Sequence, residues 1–341
     1  MRIRVVLLLI FMSVAGFAAE VALPAAQEAF RKEIGPKVAA LEKKNATAFA
    51  GTDGWLFLTA ELRFLAQGKF WGDAAAKVSR SHKPENADPI PAIADFDRQL
   101  KARGIKLLVV PIPAKAAIYP DKLGIAGAIA ATDTAPYLQE FYGELGRRGI
   151  DYLDLTGPFA AKRDDKLHGP LYCRTDTHWS GHGVYIAAVE MAREIRPVIA
   201  AEAPRTAFLP EWKEVMITGD LPPLAGVKAE PEKIAIRQMA NAVQPDPTSP
   251  VLLMGDSHTL VFHEFLAERA GLLEQLGAEL GRAPDLIGTR GSGATAVRVS
   301  MYRRAKAEPN FLAGKKVVLW CFAARELTEA DQGWVVQPIA K

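Results

Sequence analysis

A serine follows an apolar run that ends at a glycine. Residues 251–254 predict a short buried strand, Gly255 permits a tight turn at its end, and Ser257 comes two residues later. A hydroxyl there projects from a sheet edge beside the backbone N–H groups of the turn, which suits a nucleophile that forms a tetrahedral intermediate. Asp256 and Ser257 are also favoured N-cap residue types, so the segment predicts either a nucleophile or a helix cap.

An aspartate and a histidine, Asp176 and His178, stand before a predicted helix with a single residue between them. A carboxylate at this spacing can accept the Nδ1–H of the imidazole and fix its tautomer. Nε2 is then left to accept a proton from a serine. The alternative is a structural pair, in which Asp176 caps the helix and His178 is a hydrogen-bonded loop residue.

A turn that contains a glycine, residues 292–295, follows another predicted strand. Gly293 would let the backbone approach a ligand and offer its N–H, although a plain turn explains the same residues. Taken as a set, Ser257, His178 and Asp176 supply the roles of an acyl-transfer triad, and Gly293 supplies a candidate oxyanion donor. The set therefore indicates serine chemistry where each motif alone would not.

The remaining histidines are predicted to be structural or solvated. His82 and His168 stand in polar loops, His182 and His263 stand near helix starts, and His258 adjoins the serine and could only tune it. No cluster of Cys and His has zinc spacing, so the sequence predicts no metal site.

Short apolar runs alternate with helical segments along most of the chain. Strands are predicted over residues 105–111, 150–155, 251–254, 285–288 and 316–320. Helices are predicted over residues 20–48, 93–103, 136–148, 184–195 and 263–280, and residues 205–250 predict a long loop or insertion. This alternation is typical of an α/β fold, a doubly wound parallel sheet covered on both faces. Ligands of such sheets bind at the carboxyl ends of the strands, where the candidate residues are predicted to lie.

The amino-terminal sequence predicts a secretory signal over residues 1–19, which leaves residues 20–341 as the functional domain. Arg2 and Arg4 precede an almost unbroken apolar run, and small residues follow it. Because the run is short for a permanent membrane span, the signal is either cleaved or kept as an inner-membrane anchor.

The net charge and the cysteine content bear on two further properties, the binding of nucleic acid and the presence of a disulfide. The net charge of +3, without a basic run, gives no case for binding nucleic acid. In an exported chain Cys173 and Cys321 could form a disulfide, but both stand in segments that predict ordinary core, so their pairing is left open.

With these motifs the chain resembles the SGNH hydrolase superfamily, and within it the alginate O-acetyltransferase-like branch (the AlgJ/AlgX group). Residues 255–258 are similar to the nucleophile block, and residues 292–295 to the block with the oxyanion glycine. Asp154, followed by residues 176–178, is similar to the Asp/His block. This block precedes the serine, a permuted order that is typical of the acetyltransferase branch.

The resemblance covers most of the chain, because residues 53–57, 111–115 and 320–327 are similar to other motifs of the branch. One position departs from the superfamily, which usually supplies an asparagine as second oxyanion donor after the last strand. Arg325 stands at the matching place. It is either that donor or the partner of a carboxylate in a structural ion pair.

The resemblance implies a three-layer, doubly wound sheet with permuted blocks and a periplasmic enzyme that O-acetylates a polysaccharide such as alginate or cellulose. Ser257 would carry the acetyl group, with His178 as base and Asp176 as its orienter. A membrane-bound acyltransferase would supply the acetyl group, other exopolysaccharide-machinery proteins would be further partners, and no cofactor or metal is implied. Two alternatives stay open: a carbohydrate O-acetylesterase, and a non-catalytic periplasmic glycan-binding protein.

Overall fold

The computed structural model describes residues 24–126, 129–199, 208–291 and 293–340. The predicted signal, residues 1–19, lies outside the described residues. Within these ranges, the helices are all too short or too polar to cross a bilayer.

The described residues form eight β-strands, in chain order β1 (Ala48–Ala50), β2 (Leu56–Leu58), β3 (Lys106–Ile112), β4 (Pro210–Ile217), β5 (Glu232–Met239), β6 (Val251–Gly255), β7 (Asp285–Gly288) and β8 (Val317–Ala323). Four of them make a parallel sheet in the order β3-β8-β6-β7. The predicted strand over residues 150–155 is wrong as an extended strand. It is reduced to a single parallel bridge between Tyr152 and Val109, beside β3.

The α-helices of the described residues are, in chain order, α1 (Ala25–Lys43), α2 (Thr59–Ala66), α3 (Ala75–Val78), α4 (Pro89–Lys101), α5 (Lys115–Ile118), α6 (Pro136–Arg147), α7 (Thr156–Lys162), α8 (Gly181–Ile195), α9 (Leu221–Leu224), α10 (Ser257–Leu260), α11 (Leu272–Leu280), α12 (Ala294–Ala307) and α13 (Glu326–Glu329). Helix α12 was not predicted, because its apolar positions are few and its polar residues run around much of its surface.

Helices cover both faces of the sheet, as successive residues of the central strand β8 show. The Trp320 ring lies 5.2 Å from the ring of Phe96 in α4 and has the guanidinium of Arg298 in α12 above it. The Sγ of Cys321, one residue later, lies 3.9 Å from the Sδ of Met191 in α8. Because neighbouring side chains of a strand point to opposite faces, α4 and α12 lie on one side and α8 on the other. The three-layer, doubly wound sheet is thereby confirmed.

The two cysteines are both free and buried. Cys321 packs against α8, whereas the Sγ of Cys173 lies 3.6 Å from the carbonyl oxygen of Trp179. The sequence left the pairing of these cysteines open, and the structure has them as two separate thiols without a disulfide between them.

The stretch over residues 205–250, predicted as a long loop or insertion, contains a long β-hairpin. Strands β4 and β5 pair antiparallel from Pro210 opposite Met239 to Ile217 opposite Glu232. The exposed positions of β4 include the consecutive Lys213 and Glu214 and the apolar Met216, so its sequence does not alternate strictly between apolar and polar residues. Strand β5 packs against α8, where Gly181 leaves no room for a Cβ beside the backbone of Ile236.

The helix predicted over residues 263–280 is also wrong in its first half. Residues 261–271 are irregular, and Phe262, Leu266 and Arg269 have φ between 60° and 65°. Left-handed backbone at three non-glycine residues interrupts any α-helix, so only α11 remains of the prediction. The irregular segment brings the Phe265 ring to 5.3 Å from the ring of His178.

Candidate active site

The carboxyl end of β6 presents Ser257 at the first position of α10. The preceding residue, Asp256, is the N-cap: its Oδ1 accepts a hydrogen bond from the amide of His258 at 2.9 Å. Its Oδ2 accepts from the amide of Ala323 at 2.8 Å, which ties the turn to the end of β8. Burial alone would raise the pKa of Asp256, but the side chain of His258 and the amide of Ala323 hold that pKa far below its usual value. The sequence predicted either a helix cap or a nucleophile position here. The structure has both, with Asp256 as the cap and Ser257 just after the carboxyl end of the strand.

Asp176, His178 and Ser257 form a continuous chain of hydrogen bonds. The Nδ1 of His178 lies 2.7 Å from Asp176 Oδ1, and its Nε2 lies 2.8 Å from Ser257 Oγ. Because an ionised carboxylate can only accept, Nδ1 carries the ring proton and Nε2 accepts from the serine hydroxyl. The histidine and aspartate are buried, and the serine is half-buried. The structure therefore brings together the three residues that the sequence selected.

The Asp176 carboxylate is held in its ionised form. Burial alone would raise its pKa, but hydrogen bonds from the ring and amide of His178 lower the pKa below the ordinary value. The other oxygen, Oδ2, accepts from the amide of Asp220 at 3.1 Å. A fixed, charged acceptor of this kind stabilises a neighbouring imidazolium when one forms.

A buried lysine that the sequence analysis did not single out anchors the loop of Asp176. The ammonium of Lys115, fully buried at the start of α5, donates to the carbonyl oxygens of Asp176 at 2.7 Å and Cys173 at 3.0 Å. Burial lowers the pKa of Lys115, and the nearby charge of Glu61 opposes that effect. Lys115 stands inside the similar stretch 111–115, but no periodicity distinguishes it from a surface lysine.

The unpredicted hairpin supplies the other anchors of this loop. The carboxylate of Glu232 in β5 accepts from the amides of Arg174 at 2.8 Å and Thr175 at 2.9 Å. Asp220, just after β4, accepts from the amide of Thr177 at 2.7 Å. The segment between the strands of the hairpin and β5 itself therefore fix the backbone on either side of Asp176.

His258 packs beside His178 but is not part of the hydrogen-bond chain to Ser257. Its ring is 4.8 Å from the ring of His178, and its carbonyl oxygen accepts from the indole N–H of Trp179 at 3.0 Å. Burial lowers the pKa of His258 to about 4, so its ring is neutral at neutral pH. It adds no positive charge beside His178.

A cleft of about 720 Å³ opens beside Ser257. Gly293, the N-cap of α12, lines the same cleft, whereas Ser292 lies outside the described residues. Arg325 also lines it, and its Nη1 lies 3.3 Å from Oε1 of the buried Glu61. The ion pair predicted as one alternative for Arg325 is therefore present. Its role as an oxyanion donor, like that of Gly293, stays a prediction.

Replacing Gly255 with alanine is expected to destabilise the protein by about 2–3 kcal/mol. A Cβ at this position would clash with Oγ1 of Thr259 and with the carbonyl oxygen of Cys321. Denaturant unfolding checks the value. Gly157→Ala is the control, because a Cβ there meets no heavy atom within 4 Å. Equal stability of the two variants would show that the turn after β6 is not tightly packed.

The carboxyl of Glu326 packs directly against Gly293 and lines the cleft. Burial raises its pKa to about 7, from an ordinary value of 4.5 in the unfolded chain. The folded state therefore binds this proton more tightly than the unfolded chain does. The stabilisation that this proton provides is lost as the pH rises from about 4.5 through 7. Glu326→Gln is expected to match the wild type near pH 4.5 and to exceed it by about 1–3 kcal/mol at pH 8.5.

Unfolding free energies of Glu326→Gln across this pH range measure the effect. Glu308→Gln provides the control, since the Glu308 side chain is 57% exposed. A stability difference that does not change with pH would mean that Glu326 ionises at an ordinary pKa in the folded protein.

Comparison with known proteins places this site in a family. The sequence matches the family described as "SGNH hydrolase-like domain, acetyltransferase AlgX" over residues 48–283, more than half of the chain. "Probable alginate O-acetylase AlgJ" of Pseudomonas aeruginosa is 32% identical over 159 residues, which cover 47% of this chain and 36% of that protein. The protein of the same name from Azotobacter vinelandii is 26% identical over 329 residues, covering 84% of this chain and 73% of that one. The match covers only about a third of the length of the Pseudomonas aeruginosa protein and of the protein of the same name from Pseudomonas syringae.

Solved structures agree with the fold. The O-acetyltransferase domain of Pseudomonas putida AlgJ superposes with a TM-score of 0.63 at 22% identity, covering 83% of this chain and 93% of that domain. Pseudomonas aeruginosa AlgX superposes with a TM-score of 0.60 at 18% identity, covering 85% of this chain and 63% of that protein. Since the family match covers more than half of its residues, the chain belongs to the SGNH hydrolase-like O-acetyltransferase family that includes AlgX.

Proposed function

We propose that this protein is a polysaccharide O-acetyltransferase that acts through an acetyl-serine at Ser257. The observation that carries the proposal is the hydrogen-bond chain from Asp176 through His178 to Ser257, at the rim of a cleft. A serine hydroxyl bonded to a neutral imidazole, itself oriented by a carboxylate, is the arrangement that activates a nucleophile.

In the first half-reaction, the Oγ of Ser257 attacks the carbonyl carbon of a donor acetyl ester while its proton passes to Nε2 of His178. The tetrahedral intermediate collapses, the donor C–O bond breaks, and His178 returns the proton to the leaving oxygen. In the second half, a sugar hydroxyl attacks the acetyl-serine, again losing its proton to His178. The acetylated sugar leaves and Ser257 regains its proton, so atoms and charge balance.

The negative oxygen of each intermediate needs donors in the cleft. We assign this role to the backbone N–H groups of Ser257 and Gly293, with the guanidinium of Arg325 in place of the asparagine that is usual in the superfamily. Glu61 holds that guanidinium from one side. A lost donor typically costs about 100-fold in rate or more.

The names of the relatives support the proposed acceptor, and the amino-terminal sequence supports the proposed location. Relatives are named alginate O-acetylases, which supports an exopolysaccharide acceptor such as alginate or cellulose. The signal-like residues 1–19 support export to the periplasm, either cleaved or as an anchor. A membrane-bound acyltransferase would then deliver the acetyl group, alongside other proteins of the exopolysaccharide machinery.

Incubating the purified chain with an acetyl-ester donor and a panel of oligosaccharides tests the proposal. Acetylated oligosaccharide in the mass spectrum is the expected product. Free acetate alone, with every acceptor, would instead favour the O-acetylesterase. A folded protein whose Ser257 is not labelled by a sulfonyl fluoride would favour the non-catalytic glycan-binding role.

A further inference from the structure

Three potential metal ligands meet at a place separate from the cleft. Asp165 and His168 lie in the loop after α7, and His182 lies in the first turn of α8. One ligand atom from each lies within 4.8 Å of the others. We propose that Asp165, His168 and His182 bind a divalent cation of the zinc class.

The ligand atoms are held in place by the backbone. The Nδ1 of His182 donates to the carbonyl oxygen of Gly169 at 2.9 Å, so its Nε2 presents a free lone pair. Metal-bound histidines usually have such a second hydrogen bond to a carbonyl or carboxylate. The Oδ1 of Asp165 accepts from the amides of Leu167 at 2.8 Å and His168 at 3.1 Å, which fixes the carboxylate.

An indole from the hairpin covers the two imidazoles. The ring of Trp212 in β4 lies 4.0 Å from the ring of His168 and 6.2 Å from that of His182. On the other side, the side chains of His168 and Asp165 are 21% and 24% exposed. The cluster is therefore preorganised by packing and open to solvent, so an ion can enter and a water can complete its coordination.

The donor set favours zinc over the hard cations. Two imidazole nitrogens and one carboxylate oxygen match Zn²⁺ sites that keep a fourth position for water, whereas Ca²⁺ and Mg²⁺ prefer oxygen ligands. The sequence did not reveal the site, because His168 and His182 are separated by a long segment without Cys or His spacing typical of zinc.

The position gives the ion a structural role. The segment between His168 and His182 carries Asp176 and His178. A cation held at both ends of this segment binds the folded chain, in which the ligands are brought together, and not the unfolded one. Its binding free energy therefore stabilises the fold.

The test uses the full chain, stripped with a chelator and then titrated with Zn²⁺ alone. Calorimetry and elemental analysis should find about one zinc ion per chain and a raised thermal unfolding midpoint. His168→Gln and Asp165→Asn should each weaken binding at least about tenfold. Asp164→Asn, at a neighbouring carboxylate that is 84% exposed, should bind like the wild type.

Three results would overturn the site: no retained zinc, unchanged affinity in both ligand variants, or zinc that is lost in Asp220→Asn. The last would move the ion to the group of Asp176, His178 and Asp220, whose ligand atoms also lie within 4.8 Å of one another. The ligand variants are placed at His168 and Asp165 because His182 is buried, and replacing it could unfold the protein. None of these readouts depends on acetyl transfer.

Discussion

Ser257→Ala is expected to lower acetyl transfer by about 10⁴-fold or more, because in the proposed mechanism the hydroxyl of Ser257 carries the acetyl group. The fold should survive, since the Oγ makes a hydrogen bond only with His178 among the described residues. The loss of one such bond costs about 1 kcal/mol. The measurement is the rate of acetylated oligosaccharide formation, with thermal unfolding of the same preparation.

A control variant shows whether the effect of Ser257→Ala is specific to that serine or follows from the loss of any serine hydroxyl. Ser79→Ala removes a hydroxyl whose oxygen, within the described part of the chain, accepts a single hydrogen bond, from the amide of Ser81. It should transfer acetyl groups at the wild-type rate and still be labelled by a sulfonyl fluoride, whereas Ser257→Ala should not be labelled. Transfer within tenfold of the wild type in Ser257→Ala would remove Ser257 from the nucleophile role.

Lys115→Met is expected to destabilise the protein by about 3–5 kcal/mol, the largest single effect on stability that we anticipate. The substitution keeps the apolar stem but removes the donor to the carbonyl oxygens of Asp176 and Cys173. It also leaves Glu61 buried without the nearby ammonium charge. Transfer should fall as well, because the backbone of Asp176 loses its anchor. Denaturant unfolding at neutral pH measures the free energy.

Lys122→Met is the control for this loss of charge. Its ammonium pairs with Asp53, whose side chain is 68% exposed, and such pairs contribute about 1 kcal/mol or less. A destabilisation of Lys115→Met no larger than that of Lys122→Met would contradict the anchoring role.

Local sequence patterns were sufficient to predict the secondary structure where buried strands alternate with amphipathic helices. Strands β3, β6, β7 and β8 and helices α4, α6 and α8 lie within a few residues of their predicted positions. Apolar runs bounded by glycine record burial on both faces of a parallel sheet, so their signal is local. The prediction was wrong where tertiary contacts decide the backbone. Strand β5 of the hairpin packs against α8, a contact that its own sequence does not show. Three residues of the segment 261–271 hold left-handed conformations that no periodicity encodes.

For the site, the sequence by itself determined the residue types of the acyl-transfer chemistry: a serine after a glycine turn, and a histidine two residues from an aspartate. Their meeting was decided only by the tertiary structure, because Ser257 and His178 are 79 residues apart and their 2.8 Å contact depends on strand order. The structure also decided how the loop is held, through Lys115, Glu232 and Asp220. Lys115 and Glu232 are charged residues whose burial follows from long-range packing, while Asp220 is exposed and reaches the loop from the segment between β4 and β5. A sequence cannot distinguish these three residues from ordinary solvated ones.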